Sequence, residues 1–147
     1  MTLPPDWRAR PRVAVVGGAS PSEQEMAWAE AVGAALGRAN AVLICGGLTV
    51  GILPSCDVAE ANPYVAIPIV TGLGEGRNLL VVRNAQAVIA VGGAYGTLSE
   101  IAFALRYGLP VVGIGTWRVE RAGLSVPLLH AASPEEAVAR VMARIGG

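Results

Sequence analysis

The stretch Ala87–Leu109, AVIAVGGAYGTLSEIAFALRYGL, decides the fold. An apolar run enters a turn that holds Gly92, Gly93 and Gly96, and a pattern of helical period follows. This is a buried strand handing over to a helix. Glycine at such a corner lets the backbone approach a ligand closely, and the helix start offers unpaired N–H groups and the positive end of its dipole. The corner is an anion-binding device, and phosphate is the anion it suits best.

Toward the amino terminus the same grammar recurs. Arg12–Val16 predicts a first strand that ends in Gly17, Gly18 and Ala19. Ser20, Pro21 and Glu23 then supply an N-cap, a first-turn proline and a capping-box glutamate for a helix reaching Arg38. Met26, Ala29, Val32, Ala35 and Leu36 fall on one face of that helix. Val16–Ala19 and Val91–Ala94 both read VGGA. Two such corners at the carboxyl ends of parallel strands converge on one crevice, which is where open α/β sheets bind ligands. Neither corner has the GxGxxG spacing, so a mononucleotide or another phosphorylated ligand fits better than a dinucleotide.

The remaining segments alternate strand-like and helical runs, the signature of an α/β fold with a mostly parallel sheet. Ala41–Cys45 predicts a second strand, yet Gly46 and Gly47 lead straight into another strand-like run, Leu48–Leu53. Parallel neighbours need a crossover of about a dozen residues or more. Two readings stand: a Gly-Gly hairpin with an antiparallel third strand, or a crossover absent from this sequence. After a loop over Pro54–Tyr64, Val65–Val70 reads as a strand in which Pro68 favours an edge or a bulge. A second glycine-rich turn, Thr71–Gly76, leads into a helix from Arg77 to Asn84. Pro110–Ile114 is a further buried strand, Thr116–Pro127 is irregular, and Ser133–Ile145 is a last helix with Ser133, Pro134 and Glu136 at its start.

Composition sets the limits. A chain of 147 residues is read as one domain over 1–147, able to bury roughly two-thirds of the surface of its unfolded form. Eleven basic and eleven acidic side chains cancel, so the electrostatic footprint of a nucleic-acid binder is missing. Cys45 and Cys56 have no metal-ligand spacing and read as reduced thiols of a cytoplasmic protein. The start, MTLPPDWRARPR, has no apolar core, and no apolar run reaches the about 18 residues of a membrane span. The 53% hydrophobic content therefore describes a large core, and neither nucleic acid nor membrane is expected as a partner.

The segment Gly92–Glu100, GGAYGTLSE, resembles the PGGxGTxxE motif of the LOG family of phosphoribohydrolases, formerly described as lysine decarboxylase-like. Thr71, Gly72 and the Arg77-Asn78 pair resemble the arginine-bearing helix of the same superfamily. With LTVGILP (Leu48–Pro54), ANPY (Ala61–Tyr64) and TGLGEGRN (Thr71–Asn78), the likeness is to a small bacterial branch similar to the molybdenum-cofactor carrier protein, and it runs from Val13 to about Ile114. The resemblance implies a Rossmann-like three-layer sandwich with a nucleotide-sized pocket. It also implies hydrolysis of the N-glycosidic bond of a nucleoside 5′-monophosphate by Arg77 and Glu100, with no cofactor or metal required. The alternative it carries is a non-catalytic carrier of a nucleotide or of the molybdenum cofactor.

The expected ligand contacts are Gly17, Gly18, Ser20, Gly46, Gly47, Thr71, Gly72, Asn78, Gly92, Gly93, Tyr95, Gly96 and Thr97. Relatives lead to the expectation of a homo-oligomer, a dimer or tetramer. Three departures stand out: the motif proline is Gly92 here, the motif's third residue is Ala94, and the helix that relatives carry between the equivalents of Gly47 and Leu48 is missing. Glu100, three residues after Thr97, also fits the third helical position of a capping box.

Overall fold

The structure, a computed structural model, describes residues 6–44 and 49–146. Among these, seven strands form one sheet: β1 (Arg12–Gly17), β2 (Val42–Ile44), β3 (Thr49–Leu53), β4 (Ile67–Val70), β5 (Ala87–Val91), β6 (Val111–Ile114) and β7 (Leu128–His130). Their spatial order is β4-β3-β2-β1-β5-β6-β7, and every pairing is parallel. Four α-helices complete the Rossmann-like fold: α1 (Glu23–Arg38), α2 (Arg77–Arg83), α3 (Tyr95–Arg106) and α4 (Pro134–Ile145).

The centre of the sheet is buried on both faces, which is why β5 (AVIAV) and β6 (VVGI) carry no polar side chain. Ala87, Ile89 and Val91 of β5 join the core under α1 and α4, with Val32, Leu36, Val138 and Val141. The alternate residues, Val88 and Ala90, join the opposite core, with Val81, Val82, Ile101 and Ala104 of α2 and α3. Chain direction across the sheet reverses between β1 and β5, so the crevice of the fold opens at their carboxyl ends.

Several expectations are corrected. β3 pairs with β2 in parallel, Leu43 beside Thr49, which overturns the antiparallel hairpin. The strand expected from Val65 begins at Ile67, because the Val65 N–H is tied back to Asn62 in a turn. Pro68 does lie on an edge strand. β7 follows the irregular segment and was not anticipated. The N-cap of α1 is Ser22, not Ser20, and its capping-box partner is Glu25, not Glu23. The later register lets the same glutamate accept a second backbone N–H, that of Gly93. Ser133 and Glu136 cap α4 as expected, with Pro134 in the first turn. Gly46, Gly47 and Cys45 lie outside the described residues, whereas Cys56 is a free, exposed thiol. No helix among the described residues is long and apolar enough to cross a membrane.

The expected apolar face of α1 divides in two. Val32, Ala35 and Leu36 are buried, while Met26 is 48% exposed and Ala29 is exposed beside it. Only residues 45–48 join β2 to β3, fewer than a crossover helix needs, so the amino-terminal half of α1 looks over an open trough. Leu36→Ala is expected to cost about 3 kcal/mol in urea unfolding, and Met26→Ala under about 1 kcal/mol. Equal losses at the two positions would contradict this division of the helix.

Candidate functional site

The register of β1 on β5 sets Gly17 beside Val91 and brings the two VGGA corners into contact. A Cβ on Gly18 would sit 3.4 Å from the Cα of Gly93. Gly92 and Gly93 adopt φ of 53° and 94°, a region L side chains rarely enter. The corner is tied from outside as well. Gly92 N–H donates to Ile114 at 2.9 Å, the Thr116 hydroxyl donates to the Gly92 carbonyl, and Trp117 Nε1 donates to the Ala94 carbonyl at 3.1 Å.

α3 starts directly from this corner. Its N-cap, Ala94, offers no side-chain cap, and the first intrahelical bond runs from Leu98 N–H to the Ala94 carbonyl. The N–H groups of Tyr95, Gly96 and Thr97 therefore precede the helical ladder and face the corner. Thr97 is 2% exposed, and its hydroxyl has no hydrogen-bond partner. That hydroxyl lies so close to Gly93 that a Cβ there would overlap it, at 2.2 Å. A buried polar atom without a partner costs stability, on the order of 1–3 kcal/mol, and here it stands at the positive end of a helix.

One turn further along α3, Glu100 is buried at 4% exposure and is not a capping residue, since it bonds no backbone N–H of the helix start. It faces Arg77, the first residue of α2, with Nη1 to Oε1 at 3.6 Å. That is an ion pair without a hydrogen bond. Burial raises Glu100 from 4.5 to about 7, and the opposing pull of Arg77 does not restore it. A carboxyl with this affinity holds and releases a proton near neutral pH, which suits general acid–base work.

The expected site residues fall into groups. Gly17, Gly18, Arg77 and Glu100 line a cleft of about 1020 Å³ that continues along Met26, Ala29 and Gly33 of α1. Asn78, Tyr95 and Gly96 line a second, smaller depression of about 450 Å³ between α2 and α3. Asn78 reaches Ser99 at 3.3 Å and the Gly96 carbonyl at 3.5 Å, so it braces α2 against α3. Thr71 donates to the Leu53 carbonyl at 2.7 Å, and Gly72 N–H donates to Ser55 at 3.0 Å; both hold the turn to the end of β3. Ser20 is exposed in the turn before α1, and Gly46 and Gly47 are outside the described residues.

Tyr95 is 80% exposed and packs against Trp117, ring centroids 5.5 Å apart. Sequence reasoning missed Glu25, Thr116 and Trp117 as parts of the corner. Only Glu25 left a signal, the Ser-x-x-Glu spacing from Ser22. Among the described residues, no group of three or more His, Cys, Asp or Glu side chains is placed to hold a metal ion.

A parallel sheet with paired glycine corners and a cleft at its switch point defines a Rossmann-like α/β protein. Residues 46–138 match the SLOG cluster4 family, and the chain belongs to that family. Among solved structures it is similar to the molybdenum cofactor binding protein of Rippkaea orientalis, at 31% identity and a TM-score of 0.82, over 92% of this chain and 98% of that one. The molybdenum cofactor carrier protein of Chlamydomonas reinhardtii is 28% identical with a TM-score of 0.78, over 94% and 99% of the two chains. DNA processing protein A of Streptococcus pneumoniae, 19% identical with a TM-score of 0.67 over 91% of this chain and 62% of its own, shares the fold alone. A curated relative, an uncharacterized protein of Archaeoglobus fulgidus, is 45% identical over 69 residues, which is 47% of this chain and 45% of the relative's length.

The raised affinity of Glu100 for its proton makes a prediction about stability. The folded protein keeps a proton up to about pH 7 that the unfolded chain releases near 4.5. The contribution of Glu100 is thus fully present below about pH 4.5 and is lost as pH rises through about 7. Glu100→Gln is expected to remove on the order of 2–3 kcal/mol of this dependence in urea unfolding between about pH 5 and pH 8. An unchanged pH profile in the variant would contradict the burial of an ionisable group there.

Proposed function

We propose that this protein binds a phosphorylated, nucleotide-like ligand with its phosphate at the start of α3, and that it acts as a carrier of such a ligand. The observation that carries the reading is the Thr97 hydroxyl: buried, without a partner, beside the open N–H groups of Tyr95, Gly96 and Thr97. The oxygens of a phosphate group would between them accept from these donors. The likeness to molybdenum cofactor proteins supports a carrier role, and a pterin cofactor bearing a phosphate suits the same groups. Such a cofactor, when bound, brings a phosphate anion and a flat heteroaromatic system. Of this chain's residues, Thr97 and the α3 N–H groups would hold the anion. The exposed ring of Tyr95, backed by Trp117, offers a face to a planar group. The neighbouring cleft of about 1020 Å³, lined by Gly17, Gly18, Arg77 and Glu100, has room for the remainder of such a ligand.

Glu100 favours a second reading, hydrolysis of a nucleoside 5′-monophosphate. In that reaction a water oxygen bonds to C1′ and loses a proton, while the base leaves with the electrons of the broken bond and gains one. A carboxyl titrating at about 7 can take the first proton or supply the second. Arg77, close by but not hydrogen-bonded to it, is free to hold ligand oxygens.

Two measurements test these readings. In Thr97→Val the orphaned hydroxyl becomes a methyl, so stability is expected to hold or rise by about 1 kcal/mol while affinity for AMP falls about tenfold. A loss of stability with unchanged affinity would count against the phosphate position. Native mass spectrometry of the purified protein is expected to show a retained ligand, and incubation with AMP is expected to leave it intact. Release of adenine that disappears in Glu100→Gln would establish the hydrolytic reading instead.

A further inference from the structure

Glu25 caps α1, but half of its carboxylate serves another element. Oε2 accepts the Ser22 N–H at 2.7 Å, and Oε1 accepts the Gly93 N–H at 3.1 Å, across 68 positions of sequence. The carboxylate fills the space into which a side chain at residue 92 would project: a Cβ on Gly92 would lie 1.6 Å from Oε1. Glycine at 92 is therefore what admits Glu25 to the corner. The hydrogen bonds from Ser22 and then from Gly93 hold Glu25 below the ordinary carboxylate range, so it is an anion at neutral pH.

The corner thus already binds one anion, and that anion is the protein's own. The rest of the corner is still unmet. The N–H groups of Tyr95, Gly96 and Thr97 precede the first intrahelical bond, and the hydroxyl of Thr97, at 2% exposure, lies against Gly93 without a partner. Glu25 also lines the large cleft, so it stands between the cleft and the glycine turn.

We propose that Glu25 is a specificity-determining residue of this corner: it occupies the Gly93 donor and yields it only to a ligand that brings its own anion. The inference rests on the phosphate-binding reading above. A neutral ligand leaves the Glu25–Gly93 bond in place. A phosphate competes for the same N–H and is repelled by the carboxylate for as long as that stays. Glu25 thereby weakens every anion at the corner and selects those whose remaining contacts in the cleft offset its displacement. The bond to Ser22 uses the other oxygen, so α1 can keep its cap while Gly93 is released.

The test is calorimetric titration of wild type and Glu25→Gln with AMP, inorganic phosphate and adenosine. Glutamine at the third helical position keeps a capping-box partner for Ser22 and removes the charge. AMP and phosphate are expected to bind the variant about tenfold more tightly, with adenosine unchanged. Adenosine gaining by the same factor as AMP would overturn the inference, because Glu25 would then act through α1 rather than at the anion position. AMP binding to wild type with no gain in the variant would overturn it and leave the phosphate-binding reading intact. Absence of AMP and phosphate binding in both proteins would overturn both.

Discussion

The pairing of β1 with β5 is the constraint on which the rest of the structure depends. Its register runs from Val13 beside Ala87 to Gly17 beside Val91, so both strands end at the same level. The two glycine turns that follow must then share one small volume. They meet closely: a Cβ on Gly18 would stand 3.4 Å from the Gly93 Cα, while the bare Gly93 leaves its space to the Thr97 side chain. The pairing stands in the middle of a parallel sheet, where buried aliphatic side chains on both faces hold the strands rigidly. Glycine at both positions of the second turn, Gly92 and Gly93, lets it take positive φ at two successive residues.

Around this point the protein keeps two polar groups in arrangements that do not favour folding. Thr97 buries a hydroxyl without a partner, and Glu100 buries a carboxyl whose nearest cation is beyond hydrogen-bond reach. Glu25 beside them is different, because its carboxylate accepts the Ser22 and Gly93 N–H groups and so supports the fold while it occupies the corner. Glu25 and Glu100 line the cleft, and Thr97 lies in the first turn of α3. The apolar sheet offsets these costs, and concentration of such groups at one end of a fold is the physical mark of a site shaped for something other than stability.

Much of this was legible in the residues. The strand–turn–helix over Ala87–Leu109 was readable because β5 is buried throughout and α3 keeps a clean period, so local pattern and tertiary environment agree. The Arg77–Glu100 pair was reached through motif likeness, and the ion pair of the folded chain joins the same two residues. Glu100 also fitted a capping box by spacing, and only the burial of its side chain beneath α2 separates the two roles. Ser20 and Ser22 each head an Ser-x-x-Glu box, and a contact 68 residues away decides between them. β7 is three residues long after an irregular segment, too short for periodicity to reveal. The parallel pairing of β2 and β3 ran against the connection length, and a Gly-Gly pair suggests a hairpin wherever neighbouring strands are unknown. Asn78 and Thr71 were marked as ligand contacts by motif likeness, and their hydrogen bonds also brace neighbouring elements.

The central claim is that the anion position lies at the Gly93–Thr97 turn rather than along the α1 trough. Amide chemical-shift mapping of the isotope-labelled protein during titration with AMP tests it most directly. The account predicts the largest shifts at the amides of Gly93, Gly96 and Thr97, with smaller ones at Arg77. Shifts confined to α1 from Met26 to Ala34, with the Gly93–Thr97 amides unmoved, would contradict it.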